Sequence, residues 1–251
     1  MFARLIAVAV TLAAAPAFAA DLKVLTTGAF KPVAADIIAQ HERASGDKVT
    51  LANDTAGGLT RRLDAGEDFD VVILTPGGVD DFIRKGKIAQ GTKVELARVA
   101  IGVAVKDGAP KPDISSVEKF RAALTAARKI AYIDPASGGS SGIYLAGLFD
   151  KWGVADAIKA KAVLVPGGLV AEKLVNGEAD LALHQISEIL AVKGATLVGP
   201  LPAEIQNYTV YAGGISATTK QADAAKKLLA ALHGEGAQAV LKGKGMEAVG
   251  R

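Results

Sequence analysis

Loops of glycine and hydroxyl residues recur along the chain, each where a short aliphatic run gives way to a helical pattern. Such loops leave backbone N–H groups free at a helix start, and these donors suit an anion. Any one loop could be an ordinary helix cap, since hydroxyl caps are common, but together they predict an anion-binding site. The loops are Thr26-Thr27-Gly28-Ala29, Thr55-Ala56-Gly57-Gly58, Thr75-Pro76-Gly77-Gly78 and Ser137-Gly138-Gly139-Ser140-Ser141-Gly142.

The last of these loops also matches a hydrolase pattern. Gly138–Gly142 reads G-x-S-x-G around Ser140, and Asp180 and His184 follow in the order of a catalytic triad. A nucleophile elbow places its serine directly after a strand, whereas Asp134–Ser137 intervene here. We therefore predict that the protein is not an enzyme, with a secreted serine hydrolase using Ser140 as the alternative.

Histidine is the remaining residue type that could do chemistry. His184 and Gln185 directly follow a predicted strand, where they either face a ligand or serve as satisfied structural residues. No spacing typical of a metal site connects the three histidines, so we predict neither a metal nor another cofactor. These histidines are His41, His184 and His233.

An alternation of strands and helices would position these loops. It predicts an α/β fold with mainly parallel sheets, in which ligands bind beyond the carboxyl ends of the strands. The predicted strands are Leu22–Leu25, Val49–Leu51, Val71–Leu74, Val99–Val105, Lys129–Ile133, Ala162–Val165, Leu181–Leu183 and Tyr208–Ile215. The predicted helices are Val33–Ala44, Leu59–Ala65, Val79–Lys85, Val117–Ala127, Ile143–Trp152, Leu169–Asn176 and Lys220–Leu232.

Two stretches rich in proline and glycine divide the chain, Asp107–Pro112 and Gly199–Pro202. Each predicts a crossing between two lobes. The first lobe is then discontinuous, residues 20–104 plus 205–251, and residues 105–204 form the second. A ligand cleft is expected between the two lobes.

The amino terminus predicts export. Arg4 precedes the apolar run Leu5–Ala15, and the small residues Ala17 and Ala19 suit a signal peptidase, so we expect a signal peptide of residues 1–19 and a periplasmic mature protein. The apolar run is too short to cross a bilayer. The chain has no cysteine and therefore no disulfide. Its net charge of only +3, with few aromatic residues, argues against nucleic acid as a partner, and we expect a monomer.

Several short motifs occur in a recognisable order. They are Leu22–Phe30, Gly58–Gly66 followed by Asp70–Leu74, Asp134-Pro135 with Ser141–Tyr144, and Gly177–Asp180 leading to His184-Gln185. This order resembles that of the periplasmic molybdate-binding proteins of ABC transporters. The resemblance implies the two-lobed class II solute-binding fold, a small anion in the cleft, and an ABC permease in the inner membrane as partner. A ligand sensor of the same fold is the alternative.

The resemblance also implies binding positions, and two of them depart from the family. The family's serine donors fall at Ala29 and within Thr55–Gly57, its backbone contacts fall at Ser141 and near Val170, and its tyrosine donor falls at Gln185. Ala29 and Gln185 lack the hydroxyl groups that a tetrahedral oxyanion would use. We therefore predict an organic carboxylate in preference to molybdate, with Arg61 or Arg62 as a possible source of charge. The predicted ligand-binding residues are Thr27, Gly28, Ala29, Thr55, Ala56, Gly57, Ser140, Ser141, Val170, His184 and Gln185.

Overall fold

A computed structural model describes residues 19–249 of the 251-residue chain. The signal peptide predicted at residues 1–19 lies outside the described residues except for Ala19. The strands are β1 (Asp21–Thr27), β2 (Lys48–Asp54), β3 (Val71–Leu74), β4 (Val94–Lys106), β5 (Ile130–Ile133), β6 (Ala162–Val165), β7 (Leu181–Gln185), β8 (Ala195–Pro200), β9 (Tyr208–Ile215) and β10 (Glu247–Ala248). The helices are α1 (Lys31–Ser45), α2 (Ala56–Asp64), α3 (Pro76–Arg84), α4 (Val117–Ala126), α5 (Ser140–Lys151), α6 (Ala155–Lys159), α7 (Glu172–Val175), α8 (Ile186–Ile189), α9 (Ala222–His233) and α10 (Gly236–Gly243).

All eight predicted strands and all seven predicted helices have a counterpart in the structure. The signals at their ends act as expected. Gly46, directly after α1, ends that helix: it adopts a φ of 81° and donates its N–H to the carbonyl of Glu42. Thr55 and Thr75 cap α2 and α3 by accepting hydrogen bonds from Gly58 and Gly78.

The structure corrects the prediction after residue 150. Strand β8, which contains the first two residues of Gly199–Pro202, was not predicted; the crossing at this stretch stays a prediction. The helix predicted at Leu169–Asn176 is only the single turn of α7, Glu172–Val175, in the structure. Three short helices, α6, α8 and α10, were not predicted.

The strands follow the order β2-β1-β3-β9-β4-β7-β5-β6. Three parallel strands, β2, β1 and β3, lie at one end, and three more, β7, β5 and β6, lie at the other. The antiparallel strands β9 and β4 join the two groups. The sheet is thus mixed, with a parallel set in each half, as expected for an α/β fold.

The long strand β4 belongs to both halves of the sheet. Its residues 94–100 pair with β9, and its residues 101–106 pair with β7 and β8. Separate apolar cores lie on each half: Phe30 and Leu228 belong to one on the first half, and Phe120 and Phe149 to one on the second. The exact lobe boundaries, residues 20–104 plus 205–251 and 105–204, stay a prediction. No helix among residues 19–249 has the length and apolarity that a membrane crossing requires.

Candidate functional site

The carboxyl ends of four strands meet at one cleft of about 290 Å³. β1, β2, β5 and β7 end there, and the residues at or just after their ends form its walls. Nine of the predicted ligand-binding residues line it: Thr27, Gly28, Ala29, Thr55, Ala56, Ser140, Ser141, His184 and Gln185. Within each half the parallel strands end at the same edge of the sheet. Three antiparallel pairings between β3 and β7 make the two halves run in opposite directions, so these two edges face each other across the cleft.

Two predicted residues lie elsewhere. Val170 is fully buried in an apolar core beneath the second half of the sheet, packed with residues such as Leu174 and Ile189. Gly57 lies at the rim, where its N–H donates to the carbonyl of Gly138 over 3.0 Å. Arg61 and Arg62, either of which would have supplied charge if it turned inward, do not line the cleft. Arg62 pairs with Glu67 at 2.6 Å, and Arg61 donates to the carbonyl of Ser137 at the rim.

Two segments touch across the rim of the cleft, and we call this the rim contact: Thr55–Gly57 on one side and Ser137–Gly138 on the other. The Thr55 hydroxyl donates to the carbonyl of Ser137 over 2.7 Å, beside the bond between Gly57 and Gly138. The approach is so close that a Cβ added at Gly57 would lie 2.7 Å from the Cα of Gly138. Glycine is therefore required on both sides of the rim contact.

The start of α5 supplies donors to the cleft. Ser140 and Ser141 are the first two residues of this helix, so their backbone N–H groups have no partner within it. Gly142 allows the helix to sit directly on the end of β5, because a Cβ there would lie 2.2 Å from the carbonyl oxygen of Ile133. The positive end of the helix dipole then faces into the cleft and favours a negative charge.

The other side of the cleft carries an acid and a base. His184, near the end of β7, and Glu188, in α8, are 2% and 6% exposed, and the His184 Nε2 lies 3.1 Å from the Glu188 Oε2. Burial lowers the pKa of the His184 imidazole to about 3 and raises the pKa of the Glu188 carboxyl to about 8. Both groups are consequently neutral at pH 7.

The Glu188 carboxyl is held in place by its neighbours. A Cβ at Gly28 would lie 2.6 Å from the Glu188 Oε1, so a glycine in the first loop admits the carboxyl. The adjacent Ser187 hydroxyl donates to the carbonyl of Ala29 over 2.8 Å and ties α8 to this loop. Burial and the nearby Glu188 also raise the pKa of the Tyr211 phenol well above its ordinary value.

Three buried side-chain atoms in the described part of the chain have no hydrogen-bond partner, and all three belong to residues that line the cleft: Thr27 Oγ1, His184 Nδ1 and Gln185 Oε1. Thr27 lies close enough to Tyr211 to affect the pKa of its phenol, but no atom meets the geometry of a hydrogen bond to the Thr27 hydroxyl. Gln185 donates its amide N–H to the Thr209 hydroxyl over 2.8 Å. A buried polar atom without a partner is costly, so these atoms are suited to meet a ligand.

The structure does not support the hydrolase pattern. Asp180 pairs with Arg128 at 2.7 Å, before the start of β7, whereas His184 lies near its end. Four residues of extended strand separate the two by roughly 13 Å, so Asp180 does not orient the His184 ring. In the described structure no hydrogen bond joins Ser140 to His184.

Eight of the residues that line the cleft were not predicted from the sequence. Tyr211 reaches the cleft from β9, and Glu188 reaches it from the unpredicted α8. His184 lies in β7 and Glu188 in the helical turn that follows, so the spacing of four residues between them is not a helical signal. The other unpredicted lining residues are Asn53, Asp54, Ile133, Gly139, Gly167 and Gly168. Among all the residues that line the cleft, Asp54 and Glu188 carry carboxyl groups, and none is a lysine or an arginine.

Comparison with known proteins identifies the family of this chain. Residues 22–247 match the model of a family described as bacterial extracellular solute-binding protein. A curated relative, an aconitate isomerase from a Pseudomonas species, is 33% identical over 96% of this chain and 94% of its own length.

Solved structures share the fold. The periplasmic molybdate-binding protein of Azotobacter vinelandii superposes with a TM-score of 0.74 at 19% identity, covering 92% of this chain and 99% of that one. A sulfate-binding protein from Mycobacterium tuberculosis gives a TM-score of 0.73 at 16% identity, covering 92% and 87%. The predicted fold and the resemblance to molybdate-binding proteins are therefore confirmed.

Proposed function

Because the chain belongs to the family of bacterial extracellular solute-binding proteins, we propose that it captures a small organic anion bearing carboxylates in this cleft. In this proposal the mature protein works in the periplasm after its signal peptide is cleaved. It then delivers the anion to an ABC permease in the inner membrane.

One observation carries the proposal. The buried polar atoms without partners belong to Thr27, His184 and Gln185, three residues that line a single cleft together with the start of α5. A bound ligand with several polar groups would form hydrogen bonds with these atoms and offset the free-energy cost of burying them. The free N–H groups of Ser140 and Ser141 would donate hydrogen bonds to its negatively charged carboxylate. Since no fixed cation lines the cleft, these neutral donors must bind the charge themselves.

The unpaired groups favour an organic acid over a tetrahedral oxyanion. Molybdate and sulfate offer acceptor oxygens at neutral pH, whereas Gln185 Oε1 is an acceptor and needs a donor from the ligand. A hydroxyl or an undissociated carboxyl of an organic acid can provide that donor. Ala29 adds no hydroxyl of its own to replace the one found in molybdate-binding proteins.

Calorimetric titration of the ligand-free protein tests the proposal. We expect binding of one or more small di- or tricarboxylates, such as malate, citrate or cis-aconitate, and little or no binding of molybdate or sulfate. Submicromolar binding of molybdate without a response to any carboxylate would contradict it. A thermal-shift screen over the same compounds is a rapid first step, because a tight ligand raises the apparent stability.

A second function is favoured by the buried pair of His184 and Glu188. An acid and a base that are neutral, buried and in contact can move a proton on a bound ligand, and this geometry is not needed for capture alone. The aconitate isomerase relative points to the corresponding chemistry, the shift of a double bond in an unsaturated polycarboxylate. Incubation of the protein with cis-aconitate, followed by proton NMR for the trans isomer, distinguishes isomerisation from binding alone.

A further inference from the structure

In the pair of His184 and Glu188, one ring nitrogen of His184 contacts the carboxyl and the other has no hydrogen-bond partner. The His184 Nε2 and the Glu188 Oε2 lie 3.1 Å apart, while the His184 Nδ1 has no partner although the ring is buried. Both residues line the cleft. A ligand in the cleft therefore meets an acid and a base that are already coupled to each other.

Two arrangements of the shared proton are available to this neutral pair. When Glu188 donates its proton to Nε2, the imidazole carries its own proton on Nδ1. When Nε2 keeps the proton and donates to the carboxyl, Nδ1 is a free base. In the second arrangement the carboxyl still holds its acidic proton, so a base and an acid face the cleft together.

We infer that His184 and Glu188 act together as the acid–base pair that moves a proton between two carbons of an unsaturated polycarboxylate. The inference rests on the second function proposed above and assigns its residues. The substrate class is an alkene whose double bond carries carboxylates and has a CH₂ group on one side. The carboxylates make that CH₂ acidic, and the N–H groups at the start of α5 stabilise the charge that develops on them.

The step balances without another reactant. His184 Nδ1 takes a proton from the CH₂ group, and the electrons of that C–H bond form the new double bond. The electrons of the old double bond then take the proton of the Glu188 carboxyl at the far carbon. This leaves an imidazolium beside a carboxylate. Once the product has left, the imidazolium gives its Nδ1 proton to water and the carboxylate takes one from water, which restores the starting arrangement. No electron is gained or lost, and the reverse direction uses the same groups.

The other ionisable groups around the cleft do not change the protonation state of this pair. The ionisable residues that also line the cleft are Tyr211, from β9, and Asp54, from β2. Burial keeps the Tyr211 phenol protonated, and Asp54 caps the following turn through the N–H of Thr55 and lies 3.8 Å from Arg62. With no lysine or arginine in the cleft lining, Glu188 stays protonated at neutral pH, as binding an anion beside it requires.

The test measures cis-aconitate binding and turnover separately in the full mature protein. Binding is followed by calorimetry, and turnover by proton NMR, which also detects exchange of the CH₂ protons in D₂O. We expect isomerisation and exchange in the wild type. Glu188→Gln and His184→Gln should each lower turnover by about 10²- to 10⁴-fold, with affinity kept within about tenfold. Glu172→Gln, on the exposed side of α7, is the matched control and should match the wild type.

The pH profile of the wild type is an independent readout that needs no variant. Because the neutral pair is the active form, kcat/KM should be level near pH 7 and fall about tenfold per pH unit well above 8. A rate that instead rises through pH 8 would overturn the assignment, as would Glu188→Gln with more than a tenth of the wild-type turnover. Binding of cis-aconitate with neither exchange nor turnover would overturn this inference and leave the binding function intact. Absence of any carboxylate binding would remove both.

Discussion

Replacement of Gly57 by alanine should weaken ligand binding without weakening the fold. Gly57 is the second residue of α2 and has no unusual backbone angle, so alanine is compatible with the helix and improves its propensity by up to about 1 kcal/mol. In the rim contact, however, the new Cβ would lie 2.7 Å from the Gly138 Cα and 3.1 Å from the Ser137 carbonyl oxygen. Carbon atoms pack at about 3.5–4.0 Å, so the rim must open by roughly 1 Å.

An opening of that size breaks two hydrogen bonds of the rim contact, from Gly57 to Gly138 and from Thr55 to Ser137. Each contributes about 0.5–1.5 kcal/mol net, so the closed, ligand-bound form loses about 1–3 kcal/mol. That corresponds to a loss of affinity of about 5- to 150-fold. The unfolding free energy of the ligand-free protein should stay within about 1 kcal/mol of wild type.

The assay combines calorimetry, using the carboxylate that gives the strongest response, with urea unfolding of the ligand-free protein. Gly77→Ala is the matched control, because Gly77 is also the second residue of its helix, α3, and a Cβ there meets nothing within 4 Å. Amide hydrogen exchange at residue 57, measured with and without ligand, shows whether the rim contact forms only in the closed, ligand-bound form. Equal affinities for wild type and Gly57→Ala, or equal losses in both variants, would refute the reasoning.

Three further predictions follow from the site and the amino terminus. Between pH 6.5 and 8 the folded state should lose about 2 kcal/mol of unfolding free energy, because folded Glu188 holds its proton up to a pKa of about 8 while the unfolded group releases it near 4.5. Urea unfolding should show this loss in the wild type and not in Glu188→Gln; between about pH 4.5 and 6.5 the lowered pKa of His184 offsets it. Ser140→Ala should weaken carboxylate binding by about 1–3 kcal/mol in calorimetry if its hydroxyl contacts the ligand, and unchanged affinity would restrict its role to the backbone. Amino-terminal sequencing of the protein from its native host should begin at or near Ala20, and an intact Met1 would refute export.

The sequence predicted the position of the cleft because local signals define it. Each wall is a strand end followed by a helix start, and a run such as Leu22–Leu25 followed by Thr26–Ala29 predicts both within a few residues. Thr27, Ser140 and His184 were found in this way. The fold class followed from the same alternation of strands and helices.

What the sequence did not predict depends on contacts between distant residues. Gly57 resembles a ligand-binding glycine, but it packs on Gly138, far away in the chain. Tyr211 comes from an antiparallel strand whose neighbours are known only once the sheet order is known. Glu188 escaped notice because α8 is a single turn after a strand, too short for a helical periodicity to appear.

The return of β9 to the first half of the sheet sets the order in which the chain can fold. Strand β9 pairs with β3, and the core around Phe30 is completed by residues of α9 and α10 such as Leu228 and Leu241. About two hundred residues separate the two parts of that core, so the amino-terminal third cannot complete this particular core while the chain is still being synthesised. The first half of the sheet is therefore finished only when the last helices are available, and such a delay would suit the export that the amino terminus predicts.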